Sequence, residues 1–158
     1  MTTNLSTSQP TSLPEVSPEG VARPPERILV VDDEASIRQL ITNSLTRAGY
    51  RVDVAEDGAL AWEALQVRQY DLLITDNSMP KVSGIALVKK LRSQSSTLPV
   101  VMATGIYPED EIRRHPFLGI SEVLLKPFTV EQIVNTVKKV LCEAGAKTGP
   151  GFSNMAPG

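Results

Sequence analysis

The sequence predicts an α/β domain built on a parallel β-sheet of five strands, with helices covering both faces. Short apolar runs alternate along the chain with segments of helical period, and five such β/α pairs follow one another. The apolar runs are nearly continuous, which is typical of parallel strands that are buried on both faces. The chain has 158 residues, of which 41% are hydrophobic and 22% charged. This composition suits one globular core of ordinary size.

Composition divides the chain into three parts. Residues 1–26 contain five of the twelve prolines and no aromatic residue. Burial cannot offset the entropy of ordering such a segment, so we expect a disordered N-terminal tail. Residues 145–158 are rich in Gly and Pro and are expected to form a flexible C-terminal tail. The folded domain is therefore predicted at residues 27–144.

Charge and cysteine content exclude several classes of function. The net charge is −2 and no concentrated basic face is evident, so nucleic acid is not an expected partner. Cys142 is the only cysteine, which rules out an internal disulfide bond and suits a reducing compartment. No apolar run has the length of a signal peptide core or a membrane span. We expect a soluble, cytoplasmic protein without a membrane partner.

Two strands and two helices are predicted in the first half of the domain. Residues 28–31 form an apolar run that two aspartates end. Apolar residues at helical spacing follow over residues 37–45, and Gly49 is a typical C-terminal stop. Residues 50–54 alternate between apolar and polar side chains, which indicates a half-exposed edge strand. Residues 60–65 have helical period again.

Three more strands are predicted in the second half, at residues 72–74, 99–103 and 123–125, with a helix over residues 85–91 after the first of them. The last helix begins with Thr129 and Gln132, which are three residues apart, as in a capping box. Its apolar stripe is expected to be buried and consists of Val130, Ile133, Val134, Val137 and Leu141.

These elements predict a flavodoxin-like, doubly wound sheet with the strand order 2-1-3-4-5. Right-handed crossovers between parallel strands leave few other topologies. In this order the first strand lies beside the third, and ligands bind where the strand order reverses, at the carboxyl ends of the strands. Asp32 and Asp33, which follow the first strand, would therefore flank Asp76, which follows the third.

Three carboxylates in one crevice predict a metal site. Two like charges about 4 Å apart repel by roughly 4 kcal/mol at an effective dielectric constant near 20. A hard divalent cation removes this conflict, and Mg²⁺ in particular is held by one or two carboxylates together with water and phosphate oxygens. We therefore expect Mg²⁺ as the cofactor of Asp32, Asp33 and Asp76.

The same crevice suits phosphoryl transfer. A carboxylate can attack phosphorus and form an aspartyl phosphate. Thr104 and Lys126, at the ends of the fourth and fifth strands, would supply a hydroxyl donor and a positive charge to the phosphoryl oxygens. Each residue alone is more often a cap, a turn residue or a solvated side chain. Their joint occurrence at the strand ends of one sheet favours a functional site.

Four segments resemble the receiver domain of two-component response regulators, and the resemblance covers about residues 27–144. They are ILVVDDE at 28–34, DLLITDNSMP at 71–80 with Gly84 following, VVMATG at 100–105, and LLKPF at 124–128. The resemblance implies that Asp76 is the phosphoacceptor. It also implies a cis peptide bond between Lys126 and Pro127.

The resemblance assigns a role to each site residue. Asp33 would bind Mg²⁺ directly, Asp32 would act through a water molecule, and Ser78 would offer its backbone carbonyl to the metal. Thr104 and Lys126 would contact the phosphoryl group. The chain would then assist its own phosphorylation and dephosphorylation without being a turnover enzyme.

The partners implied by the resemblance are a sensor histidine kinase or histidine phosphotransfer protein as donor, and a downstream protein target. The start at Met1 favours a stand-alone receiver, although the receiver fragment of a hybrid histidine kinase would look almost the same. An interaction module with vestigial phosphorylation is a further alternative, which the retention of all five site residues disfavours. A phosphohydrolase is disfavoured because Ser78, two residues past Asp76, is not a general acid.

Two regions depart from the family pattern. Val123 stands where many members have an aromatic switch residue, and Pro108 and Pro116 bracket a weakly apolar helical segment. We expect the fourth helix to be short or mobile and the usual output face to be altered. Ser78 and Ile106, which flank the expected path of the hydrolytic water, carry neither carboxylate nor amide. We therefore expect a long-lived phosphoaspartate.

Overall fold

The computed structural model describes residues 24–147, which fold into one five-stranded parallel sheet. The strand order is β2-β1-β3-β4-β5, so the predicted flavodoxin-like topology is confirmed. The strands are β1 (Arg27–Val31), β2 (Arg51–Ala55), β3 (Leu72–Thr75), β4 (Val100–Thr104) and β5 (Glu122–Leu125). β2 is an edge strand and is half-exposed, as its alternating sequence predicts.

Helices connect the strands and cover both faces of the sheet. They are α1 (Ala35–Arg47), α2 (Gly58–Val67), α3 (Gly84–Ser93), α4 (Glu109–Arg114) and α5 (Val130–Lys147), with a 3-10 helix at Pro116–Leu118. Helix α5 continues through Gly145, so residues 145–147 are helical and not part of a tail. The remainder of the predicted tails, at positions 1–23 and 148–158, lies outside the described residues.

The sheet separates two apolar layers because successive side chains of a strand point to opposite faces. On one face, Leu29 and Val31 of β1 belong to a buried cluster with residues of α2 and α3. On the other face, Ile28 and Val30 pack in a second cluster with residues of α1 and α5. These four apolar side chains of β1 are all buried, and this fixes the register of the strand.

Helix α5 differs from its prediction at two apolar positions. Val130 is 49% exposed, whereas Val140, which the predicted stripe omits, is buried with Ile133 and Val137. Val130 is the first residue of α5, and the later turns supply the contacts with the sheet. The capping box is present, because Thr129 Oγ1 accepts from the Gln132 backbone N–H at 3.0 Å and Gln132 Oε1 accepts from the Thr129 N–H at 2.8 Å.

The fourth helix is short, as the flanking prolines predict. α4 spans six residues, buries none of them, and ends before Pro116 starts the 3-10 helix. Within residues 24–147, no helix combines the length and the apolar character that crossing a membrane requires.

Candidate functional site

Three aspartates meet at the carboxyl end of the sheet. Val31 of β1 and Thr75 of β3 are register partners, so the residues that follow the two strands lie side by side. Asp32, Asp33 and Asp76 each offer a carboxylate oxygen within 4.8 Å of the others. The side chains of Asp32 and Asp76 are buried, whereas that of Asp33 is exposed. The sequence-predicted carboxylate cluster is therefore present.

Lys126, which follows β5, reaches across the sheet edge to these carboxylates. Its Nζ lies 2.8 Å from Asp32 Oδ2, 3.2 Å from Asp76 Oδ2 and 3.4 Å from Glu34 Oε1. The Lys126 backbone N–H donates to the Thr104 carbonyl at 2.9 Å, which ties the lysine to the end of β4. The Lys126–Pro127 peptide bond is cis, as the sequence resemblance implies.

Burial and the neighbouring charges shift the pKa values of Asp32 and Lys126 in opposite directions. Burial raises the pKa of Asp32, and although hydrogen bonds from Lys126 and the Glu34 backbone N–H lower it, the pKa of Asp32 stays above its usual value. Burial lowers the pKa of Lys126, but the hydrogen bonds and negative charges of Asp32 and Asp76 outweigh it, so the pKa of Lys126 is raised. The lysine is thus held in its charged form beside the carboxylates.

The Asp76 carboxylate is oriented by the loop that follows β3. Its Oδ1 accepts from the backbone N–H groups of Asn77 at 2.7 Å and Ser78 at 3.3 Å. The Ser78 side chain is exposed. Asn77 Oδ1 in turn accepts from the Ile85 N–H at 2.9 Å, which anchors the loop to the start of α3.

Gly84 lets this loop close. A Cβ atom at Gly84 would lie 2.3 Å from the Asp76 carbonyl oxygen, a distance that real Cβ atoms do not reach. Only glycine allows the backbone of α3 to approach Asp76 so closely. The Thr75 hydroxyl donates to the same carbonyl at 2.8 Å, so the backbone of Asp76 is fixed from two sides.

Thr104 ends β4 next to this group and has an unusual hydroxyl. The residue is 1% exposed, and its Oγ1 has no hydrogen-bond partner among the described residues. A buried polar group without a partner costs about 1–3 kcal/mol. A hydroxyl left in that state at the carboxyl end of the sheet is suited to donate to an incoming oxygen ligand.

The donor set fits a small divalent cation. Three carboxylates offer hard oxygen ligands that converge on one position, and such ligands suit Mg²⁺ better than softer metals. The buried, unpartnered Thr104 hydroxyl adds a donor for the oxygen atoms of a bound phosphoryl group.

Sequence reasoning missed two residues of the site. Glu34 contacts Lys126, and Arg38 donates through Nη1 to the Asp32 carbonyl at 2.7 Å. The position of Arg38 in the sequence could have identified it. A cation near a helix N-terminus is disfavoured by the helix dipole, which indicates that Arg38 makes a compensating contact.

Four large apolar side chains are exposed in the part of the chain between the end of β4 and the start of α5. These residues are 49–76% exposed and are not covered by any other described part of the chain. They are Ile106, Tyr107, Phe117 and Leu125. We call these four residues the β4–β5 apolar patch.

Comparison with known proteins identifies one family. The family model described as "Response regulator receiver domain" matches residues 28–138. The chain is 38% identical over 119 residues to the chemotaxis protein CheY1 of Helicobacter pylori, covering 73% of this chain and 96% of CheY1. It is 39% identical over 104 residues to the sensor protein EvgS of Escherichia coli O157:H7, covering 66% of this chain but only 9% of EvgS.

A solved structure shows the same fold. The response regulator protein TrrA of Thermotoga maritima, in complex with Mg²⁺ and BeF, aligns with a TM-score of 0.64 at 33% identity. The alignment covers 73% of this chain and 98% of that chain. The architecture and the sequence motifs thus agree on a single family.

Proposed function

The chain belongs to the response regulator receiver domain family, and from this premise we propose that Asp76 accepts a phosphoryl group in a two-component or phosphorelay system. The observation that supports this most strongly is the position of Lys126. Its ammonium group bonds both Asp32 and Asp76 in a crevice where three carboxylates converge. A structural ion pair would need only one of these partners.

Asp76 is the nucleophile in this proposal. An oxygen of its carboxylate attacks phosphorus, the new P–O bond gives an acyl phosphate, and the P–N bond of a phosphohistidine donor breaks. The leaving imidazole nitrogen keeps the electron pair. The Asn77 and Ser78 N–H groups hold the carboxylate in one orientation before the donor arrives, which lowers the entropic part of the barrier.

Lys126 and Thr104 act on the transferred group. The Lys126 ammonium neutralises charge on the phosphoryl oxygens, and the buried Thr104 hydroxyl, which otherwise has no partner in the described residues, donates to one of them. We propose that the carboxylates of Asp32, Asp33 and Asp76 and the carbonyl of Ser78 hold Mg²⁺. When bound, the ion supplies positive charge to the phosphoryl oxygens and relieves the repulsion among the carboxylates.

The donor in this proposal is a sensor histidine kinase or a histidine phosphotransfer protein in the cytoplasm. The output is a change in binding to a downstream protein, and the chain does not act as a turnover enzyme. The β4–β5 apolar patch supports protein binding, because four large apolar side chains are exposed within this short part of the chain. Two of its residues, Ile106 and Tyr107, closely follow Thr104 in the chain, and the Thr104 hydroxyl would respond to phosphorylation.

The similarity to EvgS favours a second context for the same chemistry. A segment of that sensor protein, only 9% of its length, matches this chain at 39% identity. The domain could therefore serve as the receiver part of a hybrid histidine kinase, with Asp76 still accepting the phosphoryl group. Such a kinase would pass its phosphoryl group to Asp76 within one polypeptide.

Phosphoryl labelling tests the proposal. The wild type, Asp76→Asn and Asp71→Asn are incubated with Mg²⁺ and either labelled acetyl phosphate or a labelled phosphotransfer protein. Asp71, at the other end of β3, accepts from the Arg27 N–H at 2.8 Å and is the matched control. We expect label on the wild type and on Asp71→Asn, and none on Asp76→Asn. Label that persists on Asp76→Asn would place the acceptor elsewhere, and an unlabelled wild type would favour a vestigial interaction module.

A further inference from the structure

Arg38 occupies an electrostatically unfavourable position. It is the fourth residue of α1, near the helix end where the backbone dipole is positive. The first turn of α1 contains no acidic residue, and the N-cap residue Glu34 makes no capping hydrogen bond with its side chain. A cation at this place therefore needs a compensating contact.

The compensating contact is the backbone of the metal-site turn. Arg38 Nη1 donates to the Asp32 carbonyl oxygen at 2.7 Å. This carbonyl belongs to the peptide unit that joins Asp32 to Asp33, so the guanidinium group fixes the plane of that peptide. The Asp32 side chain is held separately, by the Glu34 N–H at 2.9 Å and by Lys126.

Asp33 has no comparable support of its own. Its side chain is exposed, and within residues 24–147 its carboxylate accepts no hydrogen bond and forms no ion pair. The direction in which it points is therefore set by the backbone at Asp32 and Asp33. Two side chains restrain this backbone: Asp32 accepts from the Glu34 N–H across Asp33, and Arg38 binds the Asp32 carbonyl from outside the turn.

We propose that Arg38 is a positioning residue for the divalent-cation site and acts by holding the Asp32–Asp33 peptide so that the Asp33 carboxylate faces the other two. This inference rests on the proposed function, in which Asp33 binds Mg²⁺ directly. Residues that orient metal ligands without touching the metal commonly change affinity by about 10- to 100-fold when they are replaced.

The sign of the effect separates positioning from simple charge. Arg38 is positive, so its charge alone repels Mg²⁺, and removing that charge would tighten binding. Loss of positioning would instead weaken binding. The two roles therefore predict opposite changes in the Mg²⁺ dissociation constant.

Calorimetric titration with Mg²⁺, in the absence of any phosphoryl donor, measures this change. We expect Arg38→Met to bind Mg²⁺ about tenfold more weakly than the wild type. Arg38→Lys, which keeps a donor, should recover part of the loss. Arg47→Met, at the exposed last turn of the same helix, is the matched control and should bind as the wild type does. Unchanged or tighter binding by Arg38→Met would overturn the proposal.

A double-mutant cycle tests whether Arg38 acts through Asp33. In the Asp33→Asn background, the further change Arg38→Met should leave the Mg²⁺ affinity unchanged, because the ligand that Arg38 orients is already lost. An additional loss of similar size in the double mutant would contradict action through Asp33. Circular dichroism establishes that each variant is folded, and Arg38→Gln replaces Arg38→Met if the latter is not.

The positioning role of Arg38 and the phosphoacceptor function of Asp76 can each be rejected without rejecting the other. The cation titration uses no phosphoryl donor, and the labelling experiment uses no Arg38 variant. An unlabelled wild type that still binds Mg²⁺ more tightly than Arg38→Met would reject the phosphoacceptor function and keep the positioning role.

Discussion

Lys126 lies closer to Asp32 than to Asp76, with Nζ–Oδ2 distances of 2.8 Å and 3.2 Å. Both carboxylates are almost fully buried, so the ammonium group provides the positive charge that these two side chains contact. A divalent cation bound to the carboxylates would take over this role, whereas a phosphoryl group would bring negative charge that the ammonium group neutralises. Lys126 therefore competes with the first and assists the second.

Replacing Lys126 should separate these two effects. We expect Lys126→Met to bind Mg²⁺ about tenfold more tightly, because a competing positive charge is removed. We expect its rate of labelling at Asp76 to fall about 100-fold, because a charged donor to the phosphoryl oxygens is lost. Lys139→Met is the control, since Lys139 contacts Glu122 at 3.2 Å instead of the aspartates. If Mg²⁺ affinity and the rate of labelling both fell, Lys126 would not compete with Mg²⁺ for the carboxylates.

The Thr104 hydroxyl should have a measurable cost before phosphorylation. Thr104→Val removes a buried hydroxyl that has no partner in the described residues, so we expect the free energy of unfolding in urea to rise by about 1 kcal/mol. The rate of labelling should fall at the same time. Thr75→Val is the control, because the Thr75 hydroxyl donates to the Asp76 carbonyl, and its loss should lower stability by about 1 kcal/mol. Equal destabilisation by both changes would mean that the Thr104 hydroxyl is satisfied.

Gly84 should tolerate no side chain. Its Cβ atom in Gly84→Ala would overlap the Asp76 carbonyl oxygen, and the backbone of the acceptor loop would have to move. We expect the free energy of unfolding to fall by about 3 kcal/mol and labelling to be lost. Gly105→Ala adds a Cβ into open space and should have little effect on stability. A stable, fully labelled Gly84→Ala variant would show that the backbone of this loop can move at little cost in free energy.

The raised pKa of Tyr70 predicts that the domain loses stability at high pH. Burial, together with the hydrogen bond that Tyr70 donates to Asp53 Oδ2 at 2.7 Å, raises its pKa to about 12. The unfolded chain has the ordinary tyrosine pKa of about 10 and loses this proton first. Stability from this group is therefore complete below about pH 10 and is lost as the pH rises towards 12.

Urea unfolding at several alkaline pH values measures this dependence. Tyr70→Phe cannot ionise and should show a flatter decline above pH 10 than the wild type. Parallel curves for the two proteins would show that Tyr70 ionises normally in the folded state.

In the proposed phosphoprotein, the lifetime of the phosphoaspartate would depend on residues that flank the path of the attacking water. Ser78 and Ile106 are both exposed and cannot orient a water molecule through a carboxylate or an amide. We expect the isolated phosphoprotein to lose label slowly, and Ser78→Asn to shorten the lifetime about tenfold by positioning water. Ile106→Val, which keeps an apolar side chain, is the control. Rapid loss of label from the wild type would refute this expectation.

Most of the fold follows from sequence because the three central strands, β1, β3 and β4, are buried on both faces. The apolar run that ends at Asp32 and the run that ends at Asp76 can be placed only in the middle of a parallel sheet. Their register then brings the aspartates together. The site was predictable to the same extent, since its residues follow strands directly.

The remaining details depend on contacts that no local pattern encodes. Gly145 is a typical helix stop, yet α5 continues through it, since a glycine costs only about 1 kcal/mol relative to alanine. The exposure of Val130 follows from where α5 begins relative to the sheet. The contact of Arg38 with Asp32 depends on the direction in which α1 leaves the turn.

The shortness of α4 has a practical consequence. None of its six residues is buried, and Arg113 forms its ion pairs with Glu109 and Asp110 of the same helix. Leu118 is the buried anchor of this connection. Apart from Ile112, which packs partly buried against the same core as Leu118, the residues of α4 contribute little to the stability of the domain. A foreign recognition loop that keeps Ile112 could therefore be grafted there while the sheet and the acidic crevice keep their form.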